Sequence, residues 1–242
     1  MQAAERYAAP DWRQADRLPL VALIAANLLP LIGVLAFDWD AGGLLILYWM
    51  ENLVVGAYTL VRMIRASRMR GVLTGLFFLL HYGAFCGGHG FFLLAFLRQD
   101  DMDGSTGRLL GEALQDAWLG PLVFIQLLVA VVKTVALQAP EYFGLPLLGF
   151  LLSHGISTFM HHLRGNEDAG RSAGEIMGDP YRRIVLLHVV IIAGGMFVVM
   201  TGSGLPMLMM LVILKIGMDI VLHRREHARR HMRGGVDARR SV

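Results

Sequence analysis

The chain runs to 242 residues, of which 55% are hydrophobic and 17% charged, with a net charge of +3 and a mean hydropathy of +0.54. An average soluble domain carries about 25% charged residues, so an ordinary water-soluble enzyme is excluded. Disorder is excluded as well, because the apolar residues arrive in blocks of about 18 to 26, the length that crosses roughly 30 Å of hydrocarbon as helix.

Seven apolar segments follow one another, at 20–37, 43–64, 72–97, 119–137, 144–162, 181–200 and 204–222. The first is preceded by Glu5, Asp11 and Asp16 interleaved with Arg6, Arg13 and Arg17, which is not the basic head of a secretory signal, so it is read as a retained helix. Breakers separate the segments, and only the connections 98–118 and 163–180 have room for structure of their own. The predicted fold is an all-α, polytopic transmembrane helix bundle of six or seven helices. A cytoplasmic N-terminal segment (1–19) precedes a single membrane domain (20–223), and a basic cytoplasmic tail (224–242) closes the chain.

Charge sets the topology. All but two of the 22 basic residues, Lys133 and Lys215, are arginine. They concentrate after segment two (Arg62, Arg65, Arg68, Arg70), after segment five (Arg164, Arg171, Arg182, Arg183) and in the tail from Arg224 to Arg240. The positive-inside rule places all three clusters in the cytoplasm, yet seven full crossings would put the first on the opposite side. One segment between 72 and 162 is therefore expected to enter and leave by the same face. Segment four, with Gln126 and Lys133, and segment five, with Ser153, His154, Ser157, Thr158, His161 and His162, are the candidates. The tail faces anionic lipid headgroups rather than nucleic acid. This topology suits the inner membrane of a bacterium, with the C-terminus cytoplasmic. The expected partners are the bilayer and those headgroups, with a second copy of the chain as an option.

Ionisable groups inside a membrane helix cost about 2.5 to 3.5 kcal/mol each on insertion scales, so they need partners or a task. Segment two carries Glu51, segment three His81 and His89, segment five His154, segment six His188, and the last segment Lys215 and Asp219, with His223 one turn beyond. At 1.5 Å rise per residue, Glu51, His81, His188 and Lys215 fall in the middle third of the bilayer. Imidazoles and carboxylates together suit a transition metal, zinc or iron rather than copper, so the candidate ligands are Glu51, His81, His89, His154, His188, Asp219 and His223. Glu51 and Asp219 double as acid/base groups. In an enzyme, metal-bound water would be the nucleophile of a hydrolysis, and an oxidoreductase using O₂ would need iron. The same residues equally describe a proton relay in a transporter or channel, or a structural network that holds helices together for assembly.

Other features have plainer explanations. Gly71–Gly75 and Gly83–Gly87 have the GxxxG spacing of close helix contact. Cys86, the single cysteine, excludes an internal disulfide and a thiolate cluster, and reads as a small apolar residue among these glycines. Ser153 beside His154 lacks a GxSxG context, and neighbours on a helix point about 100° apart. His223 and the two histidines one and two turns beyond it alternate with arginines as in a basic amphipathic helix.

The order Tyr48-Trp49-Met50-Glu51-Asn52, His81-Tyr82-Gly83 with His89-Gly90, Ser153-His154-Gly155, Pro180-Tyr181-Arg182-Arg183 with His188, and Lys215 with Asp219 and His223 resembles a bacterial multi-pass membrane family of unknown function, over about residues 20 to 227. The resemblance implies a membrane bundle and brings no activity, substrate or cofactor with it. The histidine boxes of membrane desaturases and the patterns of rhomboid proteases and haem cytochromes are not matched.

Overall fold

The computed structural model describes residue 28 and residues 31–98, 104–138, 143–165, 167–218 and 220–221. Most of these residues are helical, with no strand among them. The chain divides into two compact units, residues 40–208 and residues 1–39 with 209–242. In the smaller unit a short helix at 31–37 ends in a turn where Asp38 takes φ +53°, and the Trp39 amide donates back to the Gly33 carbonyl at 3.1 Å.

The larger unit is built on a helical hairpin, α1 (Ala41–Ala66) and α2 (Arg70–Leu97). Asp40 caps α1, its carboxylate accepting from the amides of Gly42 (3.0 Å) and Gly43 (2.8 Å). Helical hydrogen bonding is continuous from Ala41 to Leu97, which as a rod would put Trp49 about 55 Å from Cys86. Instead the Trp49 indole donates to the Cys86 carbonyl at 2.8 Å, and the Tyr82 hydroxyl donates to the Asn52 carbonyl at 2.9 Å. Gly71 lies against the Met63 backbone, where any Cβ would collide. Each contact has its midpoint at residues 67–68, so the chain reverses there and the two helices are antiparallel. A second intimate contact, of Gly90 with the Trp49 ring, brings the hairpin arms and Val131 together. In a membrane, where lipid is as apolar as leucine, such close packing drives association.

α3 (Ser105–Leu114) and α4 (Leu122–Gln138) follow. α5 (Gly144–Ser157) continues as a π-helical turn, Thr158–Arg164. α6 (Ala173–Met177) opens with a capping box between Ser172 and Glu175 and lies against the hairpin, sharing a core with Met63, Phe78, Tyr82, Cys86 and Ile184. After the turn at 178–180, α7 (Tyr181–Val189), a π-helical turn (Val190–Gly194) and α8 (Gly195–Thr201) form one rod, stopped by Gly202 at φ +64°. α9 spans Leu205–Met218. Large apolar side chains such as Leu73, Leu76, Leu145, Val199 and Met200 point outward, where a soluble protein carries charge.

Among the described residues three helices are long and apolar enough to cross a membrane: Ala41–Ala66, Arg70–Leu97 and Ala173–Thr201. The two segments expected to be irregular are shorter. α4 has 17 residues, about 25 Å, and α5 has 14 before its π-helical turn. Gln126, one of the polar residues that make segment four a candidate for the irregular segment, clamps a turn. Its side chain donates to the carbonyls of Ala113 (3.0 Å) and Asp116 (2.8 Å) and accepts from the Trp118 amide (2.8 Å), which fixes the α3–α4 turn. Lys133 is exposed.

Candidate functional site

The polar residues of the hairpin face α7 and its approaches. α2 and α7 run parallel in register, because Tyr181 meets His81 and, two turns further along both helices, His188 meets His89. Taken along α7 from its start, the polar groups form a series of four levels.

The first level lies at the mouth of the hairpin. The Arg62 guanidinium donates in fork geometry to both oxygens of Asp168 (2.8 Å each) and also to Asp179 (2.8 Å). Arg171 spans the same two carboxylates, at 3.0 Å to Asp168 and 2.7 Å to Asp179, and donates to the Glu175 carbonyl. Two cations thus balance two anions, and the connection 163–180 is folded around them. The Arg62 hydrogen bonds hold the Asp168 carboxyl below the usual carboxylate range. His162 Nδ1 lies 3.2 Å from Asp168. Arg62 and Arg171, which the positive-inside count uses only as topology markers, are here the cations of an ion-pair network with Asp168 and Asp179.

At the second level the Tyr181 hydroxyl and His81 Nδ1 are 2.6 Å apart, with the imidazole between the Phe77 and Phe85 rings. His81 is exposed on the outside of the helices. The third level centres on Glu51, 8% exposed. Its Oε1 accepts from Arg183 at 2.7 Å and from His154 Nε2 at 3.2 Å. Since the carboxylate can only accept, His154 carries its proton on Nε2 in this contact. Helices α1, α5 and α7 thereby each contribute one ionisable group to a single oxygen atom.

The fourth level is the histidine pair. His89 Nε2 and His188 Nδ1 are 3.0 Å apart, His89 is 4% exposed, and its Nδ1 has no hydrogen-bond partner among the described residues. Both rings border a cavity of about 330 Å³ that Phe85, Phe92, Phe96, Ile191 and Ile192 also line.

The chain matches the family of unknown function DUF6498 over residues 10–234. It belongs to that family. No curated protein and no solved structure matches this DUF6498 chain.

The DUF6498 structure brings Glu51 to His154 and His89 to His188, whereas His81 pairs with a tyrosine. Asp219 and His223 lie outside the described residues. Among the described residues no three His, Cys, Asp or Glu side chains are grouped to hold a metal ion. Chemically the Glu51 level is ill suited to one, because Arg183 already supplies the positive charge that a cation would bring. The histidine pair supplies two nitrogen donors, where catalytic zinc sites use three protein ligands. Arg183, on which the third level depends, was missed as a site residue. In the sequence it counts only as one of the basic cluster after segment five, and the facing Glu51 carboxylate is what distinguishes it from Arg182.

Proposed function

We propose that this is a proton-coupled membrane transporter or channel of the bacterial inner membrane in which Glu51 is the proton-accepting group. The observation that carries the reading is the shared oxygen: a buried carboxylate held at once by Arg183 and His154, from three separate helices. Such a carboxylate has two stable arrangements. Ionised, it neutralises Arg183 and locks α1 to α7. Protonated, it no longer needs the guanidinium, and Arg183 is free for another anion, from solute or solvent. Proton binding is thereby tied to a rearrangement of α7, the helix that supplies Tyr181, Arg183 and His188 to the second, third and fourth levels. His154 gives the proton a neighbouring group. In this reading the whole chain has six crossings with both ends cytoplasmic, and the α4–α5 region does not fully span.

The test is proton flux into liposomes containing the purified protein, followed with an internal pH-sensitive dye. Flux above that of empty liposomes is expected, with Glu51→Gln abolishing it and His154→Gln reducing it. Flux that survives Glu51→Gln would remove Glu51 from the path.

A second reading retains a transition metal, zinc or iron, at the histidine pair. Two donors each about 2.0 to 2.1 Å from one tetrahedral ion are about 3.3 to 3.4 Å apart, so the 3.0 Å between His89 Nε2 and His188 Nδ1 would have to open by a few tenths of an ångström to admit it. About one equivalent of metal in the untagged protein, lost in His188→Ala, would favour it.

A further inference from the structure

The cavity beside the histidine pair has an unusual combination of walls and exits. Three phenyl rings and two isoleucines make it almost wholly apolar, and the exposed Phe85, Phe92 and Ile192 on its lining leave it open to the surroundings of the larger unit. Its floor exists because residue 88 is glycine: a Cβ there would meet nothing within 4 Å. Its far wall is the π-helical turn Val190–Gly194, which carries Ile191 and Ile192. Single π-helical turns inside a longer helix occur frequently at functional sites.

The proton positions in the pair follow from its burial. If His188 Nδ1 donated to His89 Nε2, neutral His89 would hold its own proton on Nδ1, a buried N–H without an acceptor among the described residues. If His89 Nε2 donates, the orphaned Nδ1 is a bare lone pair, and under-satisfied buried acceptors are more common than orphaned N–H groups. His89 is therefore the donor. His188, accepting on Nδ1, must then carry its proton on Nε2. His188 is an exposed residue, seven positions and about 10 Å into the rod that starts at Tyr181. A polar N–H on the wall of an apolar cavity, in a helix apolar enough to cross a membrane, is costly unless something with an oxygen covers it.

The geometry points to a lipid-soluble quinone as the occupant, its carbonyl oxygen accepting from His188 Nε2–H and its flat ring lying among Phe85, Phe92 and Phe96. The stacked Phe92 and Phe96 rings favour a planar conjugated ring over a flexible acyl chain. Phospholipid ester carbonyls, anchored at the interface, sit shallower than His188. The volume lies at the lower end of the range for small-molecule sites, enough for a quinone ring with its isoprenoid tail left in the bilayer. His89, which fixes the tautomer of His188, is a positioning residue. The inference concerns binding alone and does not depend on flux through Glu51.

The test is binding of decylubiquinone to the full chain in dodecyl maltoside micelles, titrated by thermophoresis. Saturable binding is expected, weakened at least tenfold in Gly88→Leu, which fills the floor, and in His188→Leu, which removes the N–H, and restored to within threefold in His188→Gln. Glu51→Gln and chelator should leave it unchanged, which separates it from the flux and metal readings. Dioleoyl phosphatidylcholine at the same mole fraction should not compete. Absence of saturable binding to the wild type, undiminished binding by Gly88→Leu, or displacement by the phospholipid would overturn the proposal. If Gly88→Leu aggregates on gel filtration, the His188→Leu and His188→Gln pair decides.

Discussion

Replacing Arg62 by methionine keeps the aliphatic stem and removes the guanidinium that ties α1 to the connection 163–180. The loss is three charge-assisted hydrogen bonds, two to Asp168 and one to Asp179. The Arg62 and Asp168 side chains are each only 10% exposed. Removing one partner of a buried pair costs about 3 to 5 kcal/mol, because the other charge stays buried. Arg171 still reaches both carboxylates, so the lower end applies, about 3 kcal/mol, or roughly a hundredfold in the folding equilibrium. Arg171→Ala should cost less, about 1 kcal/mol, since its side chain is one-third exposed and its ion pairs are better screened. Unfolding of the solubilised protein in mixed micelles of rising SDS fraction, followed by circular dichroism, measures both. The Asp168 carboxyl titrates lower in the folded chain than in the unfolded one, so its contribution is complete above an unfolded value of about 3.9 and is lost as pH falls through the folded value. The gap between wild type and Arg62→Met should therefore be full at pH 7 and shrink below about pH 4. Equal, sub-kcal effects of Arg62→Met and Arg171→Ala at pH 7 would refute the account, as would a gap that persists unchanged in acid.

Three further outcomes follow from packing and hydrogen bonding. Gly90→Val pushes a branched side chain into the Trp49 ring and Val131, both closer than 3 Å to the first added atom, and should cost about 3 kcal/mol or more or prevent assembly altogether; SDS unfolding against Gly88→Val, which meets open space, is the control. Gln126→Leu keeps the bulk but strands two carbonyls and the Trp118 amide at the α3–α4 turn; about 1 to 3 kcal/mol of destabilisation is expected, with faster hydrogen exchange confined to residues 113–118. Cys86, 2% exposed against the α6 core, should resist maleimide labelling in the native micelle and react at the rate of global opening once SDS is added, so early labelling would place the α6 contact among the weaker parts of the fold.

How much of this was legible in the sequence differs from level to level, for a physical reason. Segment lengths and hydropathy announce helices directly, because each depends on residues adjacent in the chain, and α1, α2 and the α7–α8 rod lie where apolar segments two, three and six were drawn. Position along a helix was legible for the same cause: Glu51, His81 and His188 lie well inside helices long and apolar enough to cross a membrane, by counting alone. Azimuth was not. A residue's depth follows from its distance to a helix end, but which neighbour it faces depends on how the helix is rotated and paired. His81 and His89 are two turns apart on one helix, yet one meets a tyrosine and the other a histidine, because Tyr181 and His188 are spaced along a parallel α7. A single centre drawn through Glu51, His81 and His188 assumes a common azimuth as well as a common depth, and the structure spreads these three over successive levels. The residue that most changes the chemistry, Arg183, was hidden by its place in the chain. An arginine two residues into a helix ordinarily meets lipid phosphate, and only the antiparallel return of α1 brings a carboxylate within 2.7 Å of it. What a bare sequence lacks here is pairing between helices, and pairing decides whether an intramembrane charge is a ligand, a relay or one half of an ion pair.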